Sequence, residues 1–381
     1  MDFLLEDFAR VSDEDAYCAF TDLKWHGGAF WLAYRVGKGH ASPAGRIVVR
    51  RSVDGRRWER VAVLGRVGLD LRDPRLLVAR DELYLLCFSL RHRRRPPHLE
   101  PGDSYFYRLE AGRTEGHAFV PAGTFPNAEH GHLLWGGFHH AGRFHATGYE
   151  FVDGHPRAGL WRASSPGGPW RLTSLLPDRE LPPNAGFTEL DPVLDEGGAL
   201  TLFCRVDGDQ ASRVPGIRAK ARAWAGVFAR WAARRVRPVL GRHVDWFAVA
   251  RADPPFVRWR TTFHRTYLKG PRAVRCGGGF VIVGRHVARP GAPRRVVMFT
   301  CSGDGSELHP RLHLATGRDG SYAGACWHPD DRSLLLVSFY SDHARLGTPS
   351  EGRVNDVWVA RIRVPQTRPS ASNHRTSSRS R

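Results

Sequence analysis

The chain has 381 residues, of which 41% are hydrophobic, 11% aromatic and 25% charged, a balance that fits a packed globular protein and excludes a disordered or fibrous one. Its formal net charge of +19 invites a nucleic-acid partner, but only four of the 57 basic residues are Lys and no recognised binding motif accompanies them, so no specific nucleic acid is expected. The start MDFLLEDFARVSDED lacks the basic and apolar segments of a signal peptide and no apolar run is long enough to span a membrane, which points to a cytoplasmic protein.

In chain order, nearly every apolar segment is short, rich in β-branched or aromatic residues and bounded by Gly, Pro or Asp, as short strands require. Six strongly apolar segments stand out: AFWLAYR, ELYLLCFSL, RFHATGYE, ALTLFCRV, GFVIVGRH and SLLLVSFYS. Each reads as the second strand of a repeated unit, and a regular repeat of this kind predicts a ring of four-stranded blades that shields its own sheet edges. The final strand, NDVWVARIRV, is expected to share a blade with a strand near LLEDFARV and close the ring.

RSVDGRRWERV joins two of these strands. Asp54 and Gly55 suit a hairpin, whereas Ser52 and Trp58 suggest a clip in which hydroxyl and carboxylate satisfy turn amides and the indole pins the turn. The clip returns as ASSPGGPW, with Ser164, Gly167 and Trp170, and as TCSGDGSEL, with Ser302, Asp304 and Gly305; a weaker echo is ARADPPF, around Asp253.

Two segments depart from the repeat. Between Arg213 and His243 the chain is basic and without acids, and Ile217, Ala221, Trp224, Phe228 and Trp231 follow helical spacing. The spacing predicts a helical insertion over 210–243 in the fourth blade, suited to an anionic membrane surface, to a cover over the site, or to packing on the propeller. The polar, basic tail 366–381 is expected to be disordered, leaving 1–365 as the propeller. Cys18, Cys87, Cys204, Cys276, Cys301 and Cys326 form no CxxC pair, so buried free thiols are expected, with no metal and no cofactor.

The polar groups near the inner strands are Arg35 and His40, Arg72 and Asp73, His130 and His132, Glu189 and Asp191, Arg205, Arg272 and Arg285, Arg294 and Arg295, and Tyr322. With these and the clip in view, the chain resembles the sialidases, six-bladed propellers marked by an Asp-box clip. The resemblance implies a Tyr nucleophile with a Glu base behind it and arginines that hold a substrate carboxylate, the exception to the paired-carboxylate rule of glycosidases. Carried over by position, Glu189 in TELDPV resembles the Glu, Arg205 the arginine after it, and Tyr322 in SYAGACW the nucleophile. Arg285 or Arg295 resembles the remaining arginine, and Arg35 the one before the first clip; Arg72 and Arg272 complete the substrate-binding candidates. Where the family has its acid/base Asp this chain has His40, which leaves His40 or Asp73 as proton donor. The family's Arg-Ile-Pro motif is replaced by CAFTDL.

The expected function is therefore a sialidase-like glycoside hydrolase, or a related carbohydrate-active enzyme, whose substrate need not be sialic acid. Two alternatives are a propeller that binds a carbohydrate or anion without catalysis, and a five-bladed arabinanase-type glycosidase using carboxylates.

Overall fold

The computed structural model describes residues 2–92, 99–111, 117–127, 132–152, 155–177, 181, 185–208, 246–288, 294–314, 316–317, 320–342 and 355–365. These residues form six four-stranded antiparallel sheets, the blades of a propeller. The helical insertion expected over 210–243 and the tail 366–381 lie outside the described residues.

The first blade comprises β2 (Tyr17–His26), β3 (Ala29–Gly37), β4 (Arg46–Ser52) and β5 (Glu59–Leu64). The second is β6 (Leu69–Ala79), β7 (Glu82–His92), β8 (Leu99–Ala111) and β9 (His117–Phe125); the third is β10 (Leu133–His140), β11 (Arg143–Val152), β12 (His155–Ala163) and β13 (Arg171–Leu175). The fourth is β14 (Ala185–Leu194), β15 (Leu200–Gly208), β16 (Phe247–Ala252) and β17 (Arg260–His264), and the fifth β18 (Leu268–Cys276), β19 (Gly279–His286), β20 (Arg295–Ser302) and β21 (Leu308–His313). The sixth is built from β22 (Gly320–Trp327), β23 (Leu334–Ser341) and β24 (Asp356–Arg363), with β1 (Leu4–Arg10) from the other end of the chain pairing antiparallel to β24 as its outer strand. First strands touch around the whole circle, β2 with β6 and onward to β22, which returns to β2. Six blades in a closed ring exclude the five-bladed arrangement.

The expected second strands are β3, β7, β11, β15, β19 and β23. Their central residues are buried in unbroken, mostly apolar runs rather than alternating, because each blade is covered on both faces. In β7, Leu85 and Cys87 pack towards the first blade with Trp31 and Val49, whereas Tyr84 and Leu86 pack towards the third with Phe144 and Trp161. The core is thus six apolar layers, one between each pair of neighbouring blades. Fourth strands such as β5 and β21 face solvent and carry the polar residues.

The clip joins third to fourth strands. Ser52 Oγ donates to Asp54 Oδ1 at 2.9 Å and accepts from Gly55 N, while Asp54 Oδ1 also accepts from the amides of Arg56 and Arg57. The Arg57 amide foremost holds the Asp54 carboxyl below its ordinary pKa. Gly55 is left-handed, and a Cβ there would stand 2.5 Å from Leu336 of the sixth blade. Trp58 packs on the layer between these two blades. The turn therefore seats one blade on its predecessor, which accounts for the indole. Asp54→Ala leaves two amides without their acceptor and is expected to cost about 1 kcal/mol with activity unchanged. Urea unfolding of both forms measures this.

Candidate active site

Each inner strand is broken by a bulge at the same level. Pairing skips from Ala19 to Asp22 in β2, Arg72 to Arg75 in β6, Thr188 to Asp191 in β14, Lys269 to Arg272 in β18 and Ser321 to Gly324 in β22. The residue opening each skip is left-handed: Phe20, Asp73, Glu189, Gly270 and Tyr322, with φ between 43° and 59°. In β10 the skip falls between Leu134 and Gly136, giving Trp135 the corresponding place. Such backbone costs on the order of 1 kcal/mol or more at each non-Gly residue and gathers where side chains are aimed at a ligand.

The bulges bring their side chains together. Tyr322 Oη donates to Glu189 Oε1 at 2.6 Å, and the Gly270 amide donates to Glu189 Oε2 at 2.7 Å. Arg205 Nη1 also donates to Glu189 Oε1. Around the phenol stand Phe20, edge-on with ring centroids 5.2 Å apart, Trp135 at 5.9 Å and Tyr340, stacked at 6.3 Å. Burial pushes the Tyr322 hydroxyl well above its ordinary pKa, and the Glu189 charge adds to this; Arg205 and Arg285 oppose it. The phenol is thus neutral at rest, with a carboxylate in place to receive its proton.

The second strands supply arginines at one register. Arg35, Arg205 and Arg285 lie opposite Ala19, Thr188 and Lys269, the residues just before three of the bulges. Arg205 Nη2 pairs with Asp207 at 2.9 Å, and Lys269 Nζ reaches the same oxygen at 3.1 Å. Burial alone would raise the Asp207 carboxyl, but Arg205 and Lys269 hold it below the ordinary value. Arg285 stands 5.7 Å from the Tyr322 ring centroid, donating to the Gly320 carbonyl at 3.1 Å and to Tyr340 Oη at 2.9 Å. Arg35 is fully buried in a two-point pair with Asp70 and donates to the Gly39 carbonyl, so it fixes the loop carrying His40.

His40 and Asp73 occupy the first- and second-blade side of the mouth. His40 Nδ1 is 3.2 Å from Tyr17 Oη, while Arg72 donates to its carbonyl at 2.9 Å and approaches Nε2 at 3.4 Å. Asp73 is 7% exposed, and burial pushes its carboxyl up to about 6; Arg72 and Arg75 oppose the rise and Glu189 adds to it. Arg272 lies below the mouth, gripped by Asp191 at 2.7 Å and Asp22 at 2.9 Å. Arg295 is exposed at the start of the third strand of its blade, opposite His286 in register and one strand further out than Arg285. The mouth thus gathers Tyr322, Glu189, Asp73, His40, Arg72, Arg205 and Arg285. Among the described residues, several buried donors around it, Arg72 Nε, Arg205 Nε, Arg75 Nε and Trp135 Nε1, make no hydrogen bond, and Arg72 Nε stands 3.7 Å from the Asp73 carboxylate. Such a mouth suits a ligand rich in oxygen acceptors.

No family model matches the chain, and no curated protein matches it by sequence. Solved structures do match in fold. A Dyadobacter fermentans protein of unknown function aligns with a TM-score of 0.65 at 12% identity, over 96% of this chain and 100% of that one. Trypanosoma rangeli sialidase aligns at 0.60 and 12% identity over 91% of this chain and 55% of its own, so the chain spans about half that enzyme's length. The endosialidase of phage phi92 aligns at 0.62 and 9% identity, covering 96% of this chain and 70% of that one. The trypanosomal enzyme has been solved with sialic acid and with 2,3-difluorosialic acid as a covalent intermediate. At these identities the likeness is one of fold: a sialidase-like six-bladed propeller.

Phe20, Trp135, Tyr340, Asp207 and Lys269 belong to the site but were not among its sequence candidates. Their shared signal is register: they lie at a bulge, beside one, or in the second strand facing it. Gly270 shows how closely the ring is fitted, because a Cβ there would sit 2.8 Å from Tyr322 Cδ1 in an unfavourable left-handed backbone. Gly270→Ala is expected to displace the phenol, lowering turnover about tenfold or more and costing about 1–2 kcal/mol of stability. Kinetics and thermal unfolding of the purified variant check both.

Proposed function

We propose that the chain is a sialidase-like glycoside hydrolase in which Tyr322 is the nucleophile, Glu189 its base and Asp73 the proton donor. The observation that carries this reading is the 2.6 Å hydrogen bond from Tyr322 to Glu189, made between two left-handed bulges in different blades. In the first half-reaction Glu189 takes the phenol proton as Tyr322 Oη bonds to the anomeric carbon. The glycosidic C–O bond breaks, and Asp73 protonates the leaving oxygen. In the second half Asp73, now a carboxylate, takes a proton from water, whose oxygen displaces Tyr322; the phenolate recovers its proton from Glu189. Asp73 is preferred to His40 as donor because burial raises its carboxyl to about 6, whereas both ring nitrogens of His40 are already engaged, Nδ1 by Tyr17 Oη and Nε2 by Arg72.

Arg72, Arg205 and Arg285 are the substrate-facing cations, with Arg35 and Arg272 positioning the loop and strands below them. The ligand would be a carbohydrate bearing an acidic group, and a panel of aryl glycosides that includes sialosides and uronides identifies it. Release of the aryl alcohol from one of them is the expected result; silence from every member contradicts the reading.

A second reading is favoured by Phe20, which holds the first-blade bulge in CAFTDL, where the family's first arginine motif is replaced, and packs edge-on against Tyr322. In it the mouth binds an acidic glycan without cleaving it. The same panel separates the two, because binding without turnover, equal in wild type and Tyr322→Phe, selects the second.

A further inference from the structure

The inner strands continue past the bulges to the other end of the ring. Lys24 and Cys326 each follow a bulge residue by four positions, a distance of about 13 Å along a strand. There they line a pocket of about 380 Å³ together with Arg272, Arg275, Val274 and Trp327. At the share of liquid volume that one water takes, this is room for about a dozen waters, more than a bare inorganic ion fills.

The carboxylates nearest this pocket are already engaged. Asp22 accepts from Arg272, from the Leu76 amide at 2.7 Å and from the Leu23 amide; Asp191 accepts from Arg272 and from the Ala273 amide at 2.7 Å. Among the described residues, neither the Lys24 ammonium nor the Arg275 guanidinium has a hydrogen bond or an ion pair, and Arg272 Nε, in a residue 5% exposed, is buried without an acceptor. Three cationic groups therefore share one cavity against two carboxylates, both held by Arg272 and backbone amides, and among the described residues Lys24 and Arg275 have no anion bonded to them. The Arg272 charge, with burial, lowers the Lys24 pKa, a repulsion that an anion between them would relieve. Trp327 supplies an apolar wall held by its indole N–H bond to the Arg275 carbonyl at 2.8 Å.

We propose that this pocket, at the end of the channel opposite the candidate active site, binds a small molecule bearing a phosphate or sulfate group. Arg275 and Lys24 would grip the oxyanion, and Trp327 would face the organic part. The site is separate from the Tyr322 chemistry and stands or falls independently of it.

The test is calorimetric titration of the full chain at constant ionic strength with glucose 6-phosphate, with inorganic phosphate and with glucose. Arg275→Gln, Lys24→Gln and Tyr322→Phe are titrated beside wild type. Saturable binding of both phosphate probes but not of glucose, weakened about tenfold or more by either basic-residue substitution and unchanged by Tyr322→Phe, is expected. In a second measurement, maleimide labelling of Cys326, read by peptide mapping with Cys276 as internal control, should slow when glucose 6-phosphate is present. No saturation by the phosphate probes, or binding and Cys326 labelling indifferent to Arg275→Gln and Lys24→Gln, overturns the proposal.

Discussion

Replacing Tyr322 by Phe is expected to lower kcat by about 10³-fold or more, equivalent to about 4 kcal/mol of transition-state stabilisation, with KM little changed. The expectation follows from what the substitution keeps. The ring still meets Phe20, Trp135 and Tyr340, and Glu189 still accepts from Arg205 and the Gly270 amide, so the mouth stays formed while the attacking oxygen is lost. Thermal unfolding within a few degrees of wild type would show that the loss is chemical. Turnover indifferent to the hydroxyl would remove the nucleophile from the account.

Asp73→Asn is expected to have opposite effects on turnover and stability. The Asp73 carboxyl is raised from 3.8 to about 6 in the folded chain, so between these values the folded state holds a proton that the unfolded chain has released. Stability is therefore lost as pH rises through this window, by about 3 kcal/mol at neutral pH, and the uncharged Asn escapes the loss. The variant should match wild type near pH 4 and be the more stable by pH 7.5, while losing the proton donor and most of its turnover on poor leaving groups. In wild type, kcat/KM should decline above about pH 6 as the donor ionises. Chemical denaturation at both pH values, with pH–rate profiles of both forms, measures all three. A variant less stable than wild type at pH 7.5 would count against the raised carboxyl of Asp73.

The blades were legible because burial on two faces imposes apolar runs such as ELYLLCFSL, and the clip repeated at the same turn. Resemblance alone grouped Glu189, Arg205, Tyr322 and either Arg285 or Arg295, and of these Glu189, Arg205, Tyr322 and Arg285 stand together at the mouth. Phe20 and Trp135 were not legible, because a bulge that aims a residue inward is set by pairing between strands rather than by local composition. Arg272 illustrates the reverse: its sequence context matches a site arginine, but two positions past a bulge its guanidinium faces Asp22 and Asp191. Arg295 reads like Arg285 in sequence, yet only the second-strand arginine faces the bulges.

The central claim, that Tyr322 Oη attacks the sugar, is tested most directly by trapping the glycosyl-enzyme. A fluorinated analogue of whichever aryl glycoside is turned over, incubated with the full chain and followed by peptide mapping, should leave one glycosyl adduct on Tyr322. An adduct on Asp73 or Glu189, or steady turnover with no adduct on Tyr322, would contradict it.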